Sequence, residues 1–137
     1  MHAQCPYVYG EWAHCSEHLA PVAEDDGYGT SAEMTQLFAE IYDPVSADVD
    51  EATRWPSRAT TADLEGLPPH VISANEADPL RDEGPDYYCK LLAAGVTTIG
   101  WMNPGLAHEG EILFRTTMPD VYATNIRNVN GFARSLP

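Results

Sequence analysis

Two residues in this chain have the types and the placement to move a proton together. Asp78 lies in the stretch Glu76-Ala77-Asp78-Pro79-Leu80-Arg81-Asp82-Glu83-Gly84, and His108 lies in Asn103-Pro104-Gly105-Leu106-Ala107-His108-Glu109-Gly110. A carboxylate that accepts an imidazole N–H fixes the ring's tautomer and stabilises the imidazolium. The second ring nitrogen is then free to take a proton from a hydroxyl nucleophile. Read singly, each residue has a plainer account: aspartate before proline is common in loops, and a lone histidine is usually a surface or packing residue.

The elements around them favour the joint reading. Leu67-Pro68-Pro69 is a stiff extended lead-in, and His70-Val71-Ile72-Ser73-Ala74 reads as a short strand. A helix is predicted over 82–94. Asp82 and Glu83 suit its N-terminal dipole, Pro85 is tolerated in its first turn, and Gly95 sits at C′. Tyr87, Tyr88, Leu91 and Leu92 form its apolar stripe. Val96 to Trp101 reads as the next strand, making a βαβ unit with parallel strands. Both loops then leave carboxyl ends of neighbouring strands, where open α/β sheets bind ligands. Pro119 starts a last helix, whose stripe of Val121, Tyr122, Asn125, Ile126, Val129, Phe132 and Ala133 is expected to pack on the sheet.

The segment LPPHVISANEADPLRDEG resembles the acid-bearing segment of the hormone-sensitive-lipase-like family of α/β-hydrolases, and VTTIGWMNPGLAHEG resembles that family's histidine segment. DDGYG, YDP and RWP upstream are similar to its brefeldin A esterase branch. The likeness runs from about Pro6 to about Leu136. It implies Asp78 as triad acid, His108 as triad base, a carboxylic ester as small-molecule substrate, and an acyl-serine intermediate with no metal or organic cofactor. Family members commonly carry His-Gly; here Glu109 intervenes, and a second carboxylate beside the ring raises its pKa. The resemblance also suggests a homodimer through the last strand and helix, residues 119–134.

The triad order in such hydrolases is serine, acid, histidine, with the serine in G-x-S-x-G. No such motif occurs here, nor does the oxyanion motif HGGG. The nearest string, Gly29-Thr30-Ser31-Ala32-Glu33, lacks the second glycine, and Ser31 is better read as a helix cap. The expected fold is therefore α/β, the C-terminal portion of an α/β-hydrolase fold: parallel strands with flanking helices, the N-terminal half of the sheet absent. The chain reads as a truncated reading frame or half of a split protein, inactive alone. An open sheet edge would leave it marginally stable. The alternative is a non-catalytic protein-interaction module derived from an esterase.

One partial domain is expected over 1–137. Residues 1–66 hold a strand end at Pro6–Gly10, a lid-like excursion and one helix; residues 67–137 hold the βαβ unit, both loops and the last helix. In the first part, Thr30 and Glu33 have capping-box spacing, with Ser31 a second possible cap. Met34, Leu37, Phe38 and Ile41 give the helix one apolar face, and Asp43-Pro44 stops it. Residues 44–66 read as a long surface connection, docked by Trp55-Pro56. Tyr7, Tyr9, Trp12 and Tyr28 read equally as pocket lining or as core. His14 and His18, four apart with Cys15 between, have a metal-compatible helical spacing but no apparent third ligand. Arg81 is expected to pair with Asp82 or Glu83.

Composition narrows the partners. Twenty-one acidic against seven basic side chains give a formal charge of −14, which disfavours nucleic acid and anionic membrane surfaces. Three cysteines without paired spacing read as free thiols of a reducing compartment. MHAQCPYVYGEW has no signal-peptide pattern, so a cytoplasmic location is the default expectation.

Overall fold

The computed structural model describes residues 1–10, 24–44 and 51–136. Three parallel strands form one sheet in the order β1 (His2–Gln4), β2 (His70–Ala77), β3 (Thr98–Ala107). Each residue of β1 faces one of β2, from His2 opposite Val71 to Gln4 opposite Ser73. His70 to Asn75 of the central strand are all buried, as a strand covered on both faces must be. Its lead-in, Pro68-Pro69, is extended because each ring fixes φ and constrains the residue before it.

Helix α3 (Glu83–Ala93), the third helix among the described residues, joins β2 to β3. It ends where the sequence expects. Gly95 takes φ +73°, its N–H bonds the Leu92 carbonyl at 3.0 Å, and the Val96 N–H bonds the Leu91 carbonyl at 3.0 Å. This is a Schellman motif, which uses glycine's tolerance of positive φ to satisfy two orphan carbonyls. Leu91 and Val96, brought together by it, belong to one core cluster with Val8, Ala59, Leu64, Ile72 and Tyr87. Of the expected stripe, Tyr87 and Leu91 are buried, Tyr88 is half-buried, and Leu92 is exposed.

The connection before β2 contributes to that core, so it is more than a surface link. It holds a 3₁₀ turn (Pro56–Arg58) and the short helix α2 (Thr61–Leu64). Thr60 and Asp63 form a full capping box at α2, which turns Leu64 inward to 3% exposure. Trp55 does dock, buried against Tyr7 and Tyr42 with ring centroids 5.7 and 5.2 Å away.

Helix α1 (Ala32–Tyr42) is capped by Ser31, whose Oγ accepts the Met34 N–H at 3.2 Å. It stops at Asp43 before Pro44, as read from sequence. Its buried residues are Thr35 and Ala39, while Met34, Leu37, Phe38 and Ile41 all stand exposed. The apolar face thus points away from the core.

Two expectations are corrected. The strand near the N-terminus is β1, not Pro6–Gly10. Pro6 lacks the N–H that a ladder needs, and Cys5 turns the chain aside at φ +43° after its own N–H bonds Ser73 O at 2.8 Å. The last helix, α5 (Pro119–Ser135), forms as expected, but its only buried residue is Asn125. Val121, Tyr122, Val129 and Phe132 are half-buried, and Ile126 is exposed. Between β3 and α5 lies the short helix α4 (Gly110–Leu113).

β3 runs longer than its sequence suggests and is irregular near its end. Asn75 faces Asn103, but the next partner of Ala77 is Ala107. Two positions on β2 therefore match four on β3, a bulge of two extra residues. Gly105 takes φ +70° there, and its N–H is held by Glu76 Oε2 at 2.7 Å. A bulge re-aims the residues just beyond it, and here the residue it re-aims is His108.

Candidate active site

Asp78 leaves β2 and turns at once on itself. Its Oδ1 accepts the Leu80 N–H at 2.8 Å, the short loop that aspartate before proline favours. The side chain is wholly buried. His108 leaves the bulged end of β3, and its Nδ1 lies 3.0 Å from Asp78 Oδ2 and 3.1 Å from Oδ1. An ionised carboxylate only accepts, so the ring proton sits on Nδ1 and Nε2 carries the lone pair. The ring retains 19% exposure.

The histidine is held from outside the sheet as well. Its backbone N–H donates to Tyr28 O at 3.3 Å. Gly29, at φ +87°, lies so close that a Cβ on it would stand 3.1 Å from His108 Cβ. The turn leading into α1 therefore rests on His108. Glu109 takes φ +51°, a left-handed conformation that costs a side-chain-bearing residue about 1 kcal/mol. Glycine would take that conformation without the penalty.

Electrostatics raise the His108 pKa. Burial is the largest single influence and lowers it, but the hydrogen bond and charge of Asp78, with the charges of Glu109 and Glu111, together outweigh it. The effect expected of Glu109 is present, and Glu111 adds to it.

A buried polar network lies beneath the pair. Glu111 is 2% exposed. Its Oε2 accepts from Asn75 Nδ2 at 2.6 Å, and the same Nδ2 donates to Ala107 O at 2.7 Å. Asn103 Nδ2 donates to Asn75 Oδ1 at 2.8 Å. Gln4 Nε2 reaches Asn125 Oδ1 at 2.6 Å and Glu111 Oε1 at 3.4 Å. All three strands, α4 and α5 are thereby joined under the histidine. The sequence hint was an asparagine inside an apolar strand; nothing in the spacing pointed to Glu111.

Glu83 corrects a further expectation. It is not an exposed dipole charge: it is fully buried, and Oε2 accepts from the backbone N–H groups of Val8 at 2.6 Å and Tyr9 at 3.0 Å. Oε1 is buried without a hydrogen-bond partner. Burial pushes its pKa up to about 8, against the two amides and with help from Asp78 and Asp86. Arg81 pairs with Asp82 at 3.3 Å, as expected, and with Asp25 at 3.5 Å.

The remaining candidates separate. Ser31 caps α1. Tyr7 donates to Thr35 O at 3.2 Å, and Tyr9 to Asp86 Oδ2 at 2.6 Å. Tyr7 lines a cavity of about 390 Å³ with Phe38, Tyr42 and Trp55, whereas Tyr28 is exposed and serves through its carbonyl. Trp12, His14, Cys15 and His18 lie outside the described residues. No described helix is long and apolar enough to cross a membrane.

Comparison with known proteins bears on the fold. The profile of a family described as alpha/beta hydrolase fold matches residues 4–110. Carboxylesterase NlhH of Mycobacterium tuberculosis is 35% identical over 119 residues, covering 85% of this chain. Among solved structures, brefeldin A esterase, a bacterial homologue of human hormone sensitive lipase, superposes with TM-score 0.91 at 36% identity over 96% of this chain. Esterase Est22 superposes with TM-score 0.85 at 34% identity over 98% of this chain and 39% of its own. The chain spans 34% of the length of the curated relatives it matches and 38% of brefeldin A esterase.

Proposed function

The chain belongs to the alpha/beta hydrolase fold family, and we propose that it supplies the acid and base of a carboxylic ester hydrolase. Asp78 orients His108 and stabilises its charged form. His108 Nε2 takes the proton of a serine hydroxyl as that oxygen attacks the ester carbonyl, then delivers it to the departing alcohol. The same cycle with water releases the acid. The serine and the oxyanion donors come from polypeptide beyond these 137 residues, since no G-x-S-x-G is present and Ser31 is engaged as a cap. The substrate is a small-molecule ester, and no cofactor enters the chemistry. Pairing of two copies through β3 and α5, and a cytoplasmic location, belong to the same reading.

The observation that carries it is the buried Asp78 carboxylate 3.0 Å from His108 Nδ1. The test is hydrolysis of a p-nitrophenyl ester, by the chain alone and by the chain combined with a segment bearing G-x-S-x-G and HGGG. Alone, we expect no turnover that depends on His108. Combined, His108→Ala should lower kcat by roughly 10³-fold or more, and Asp78→Asn by about 10⁴-fold. Combined activity indifferent to both substitutions would overturn the assignment.

A further inference from the structure

Cys5 brings a third ligand-type atom to the pair. Its Sγ, a carboxylate oxygen of Asp78 and a ring nitrogen of His108 all lie within 4.8 Å of one another. The cysteine reaches them because it ends β1 beside the strand that delivers Asp78, and its left-handed backbone turns it inward. It is 5% exposed and a free thiol. Sulfur, imidazole nitrogen and carboxylate oxygen are the donor set of zinc. Zinc binds thiolate at about 2.3 Å and the lighter donors at about 2.0 Å, so tetrahedral donors sit roughly 3.5 Å apart.

A further carboxylate lies on the cysteine side of the cluster. Glu111 Oε1 is 3.9 Å from Cys5 Sγ and 3.4 Å from Gln4 Nε2. Both contacts are long, whereas Oε2 of the same carboxylate is firmly held by Asn75. The Glu109 backbone N–H already donates to the Cys5 sulfur, the kind of outer bond that steadies a metal thiolate. The buried carboxylates of Asp78 and Glu111 carry negative charge that a divalent cation offsets, whereas burial pushes the Cys5 thiol up, so it ionises only on coordination.

We propose that Cys5, Asp78 and His108 form a three-ligand site, open to water at the fourth position, for a thiophilic divalent cation such as Zn²⁺, and that occupancy switches the acid–base pair off. Coordination sends the Cys5 thiol proton to solvent. It takes the Nδ1 lone pair, so the neutral ring's proton moves to Nε2. A ring protonated there has no lone pair with which to deprotonate a hydroxyl. The site rests on the Asp78–His108 geometry and not on ester hydrolysis, so it stands or falls separately from the function proposed above.

Titration of the whole chain with Co²⁺ tests this. We expect an intense thiolate-to-cobalt charge-transfer band with tetrahedral-type visible absorption, saturating at one metal and displaced by Zn²⁺. Cys5→Ser and His108→Ala should each remove the band or weaken binding at least tenfold, while Cys15→Ser and Cys89→Ser leave it intact. The wild-type chain gives a check free of folding effects: Zn²⁺ should shift the His108 Nδ1 resonance in ¹⁵N spectra. No band in wild type, a band lost in Cys15→Ser but kept in Cys5→Ser, or an unmoved Nδ1 resonance overturns the proposal. Zn²⁺ binding in a chain that never supports esterase activity would keep this inference and remove the hydrolytic one.

Discussion

At the scale of single residues, Glu109 and Glu83 are two positions whose placement conflicts with their chemistry. Glu109 holds φ +51°, so Glu109→Gly should stabilise the fold by about 1 kcal/mol. Urea unfolding reads that gain as a higher midpoint. The same substitution removes one of the charges that raise the His108 pKa, so an NMR titration should show the ring moving back toward its ordinary value. Glu83 keeps a proton in the folded chain up to about pH 8, while an unfolded glutamate releases it near 4.5. Across that window the folded state binds more protons than the unfolded one, so Glu83 contributes stability in acid that fades as pH rises. Relative to wild type, Glu83→Gln should therefore become progressively more stable from pH 4.5 to 8. His108, also raised, has the same sign: its contribution is full below 6.5 and is lost as pH climbs through the raised value. A stability difference between wild type and Glu83→Gln that stays flat across the window would refute the Glu83 assignment.

At the scale of elements, the network beneath the histidine joins β1, β2, β3, α4 and α5 through Gln4, Asn75, Asn103, Glu111 and Asn125. Asn75→Ala leaves a buried carboxylate short of its best donor and should cost about 2–3 kcal/mol. Glu111→Ala on top of it should cost much less than it does alone, because the two act as one unit; additive costs in the double-mutant cycle would mean the network is not shared. Local rules read the elements well where their signals were local. Pro68-Pro69, Gly95, Asp43-Pro44 and Pro119 each fix a boundary through their own backbone, and the strand–helix–strand rhythm placed Asp78 and His108 on one edge. What escaped was set by distant partners. Glu83 looks like an N-terminal helix charge until the amides of Val8 and Tyr9, 75 and 74 positions away, converge on it. The bulge in β3 hid behind Pro104-Gly105, which spells a loop. β1 is not legible in the sequence, because its three residues carry no alternation of their own and are a strand only by pairing with β2.

At the scale of the whole molecule, burial is uneven. β2 and α3 hold the core, while β3 shows Ile99 and Met102 to solvent, α1 shows Met34, Leu37, Phe38 and Ile41, and Ile112, Leu113 and Phe114 stand exposed near α4. Surfaces of this kind drive association. Hydrogen exchange on the isolated chain should find the slowest amides in β2 and α3 and fast exchange in β3 and α5. Sedimentation should show association that grows with concentration. Uniform strong protection in a monomer would contradict both. The acidic surface, −14 overall, works against that association, so salt should promote it by screening.

The contact between Gly29 and His108 carries a mechanical consequence. A bare α-carbon is all that separates the turn ahead of α1 from the imidazole's own Cβ. Any bulkier residue at position 29 would press on the stretch of chain that carries the ring, so Gly29→Ala should disturb the base at position 108 without altering a single proton-bearing atom.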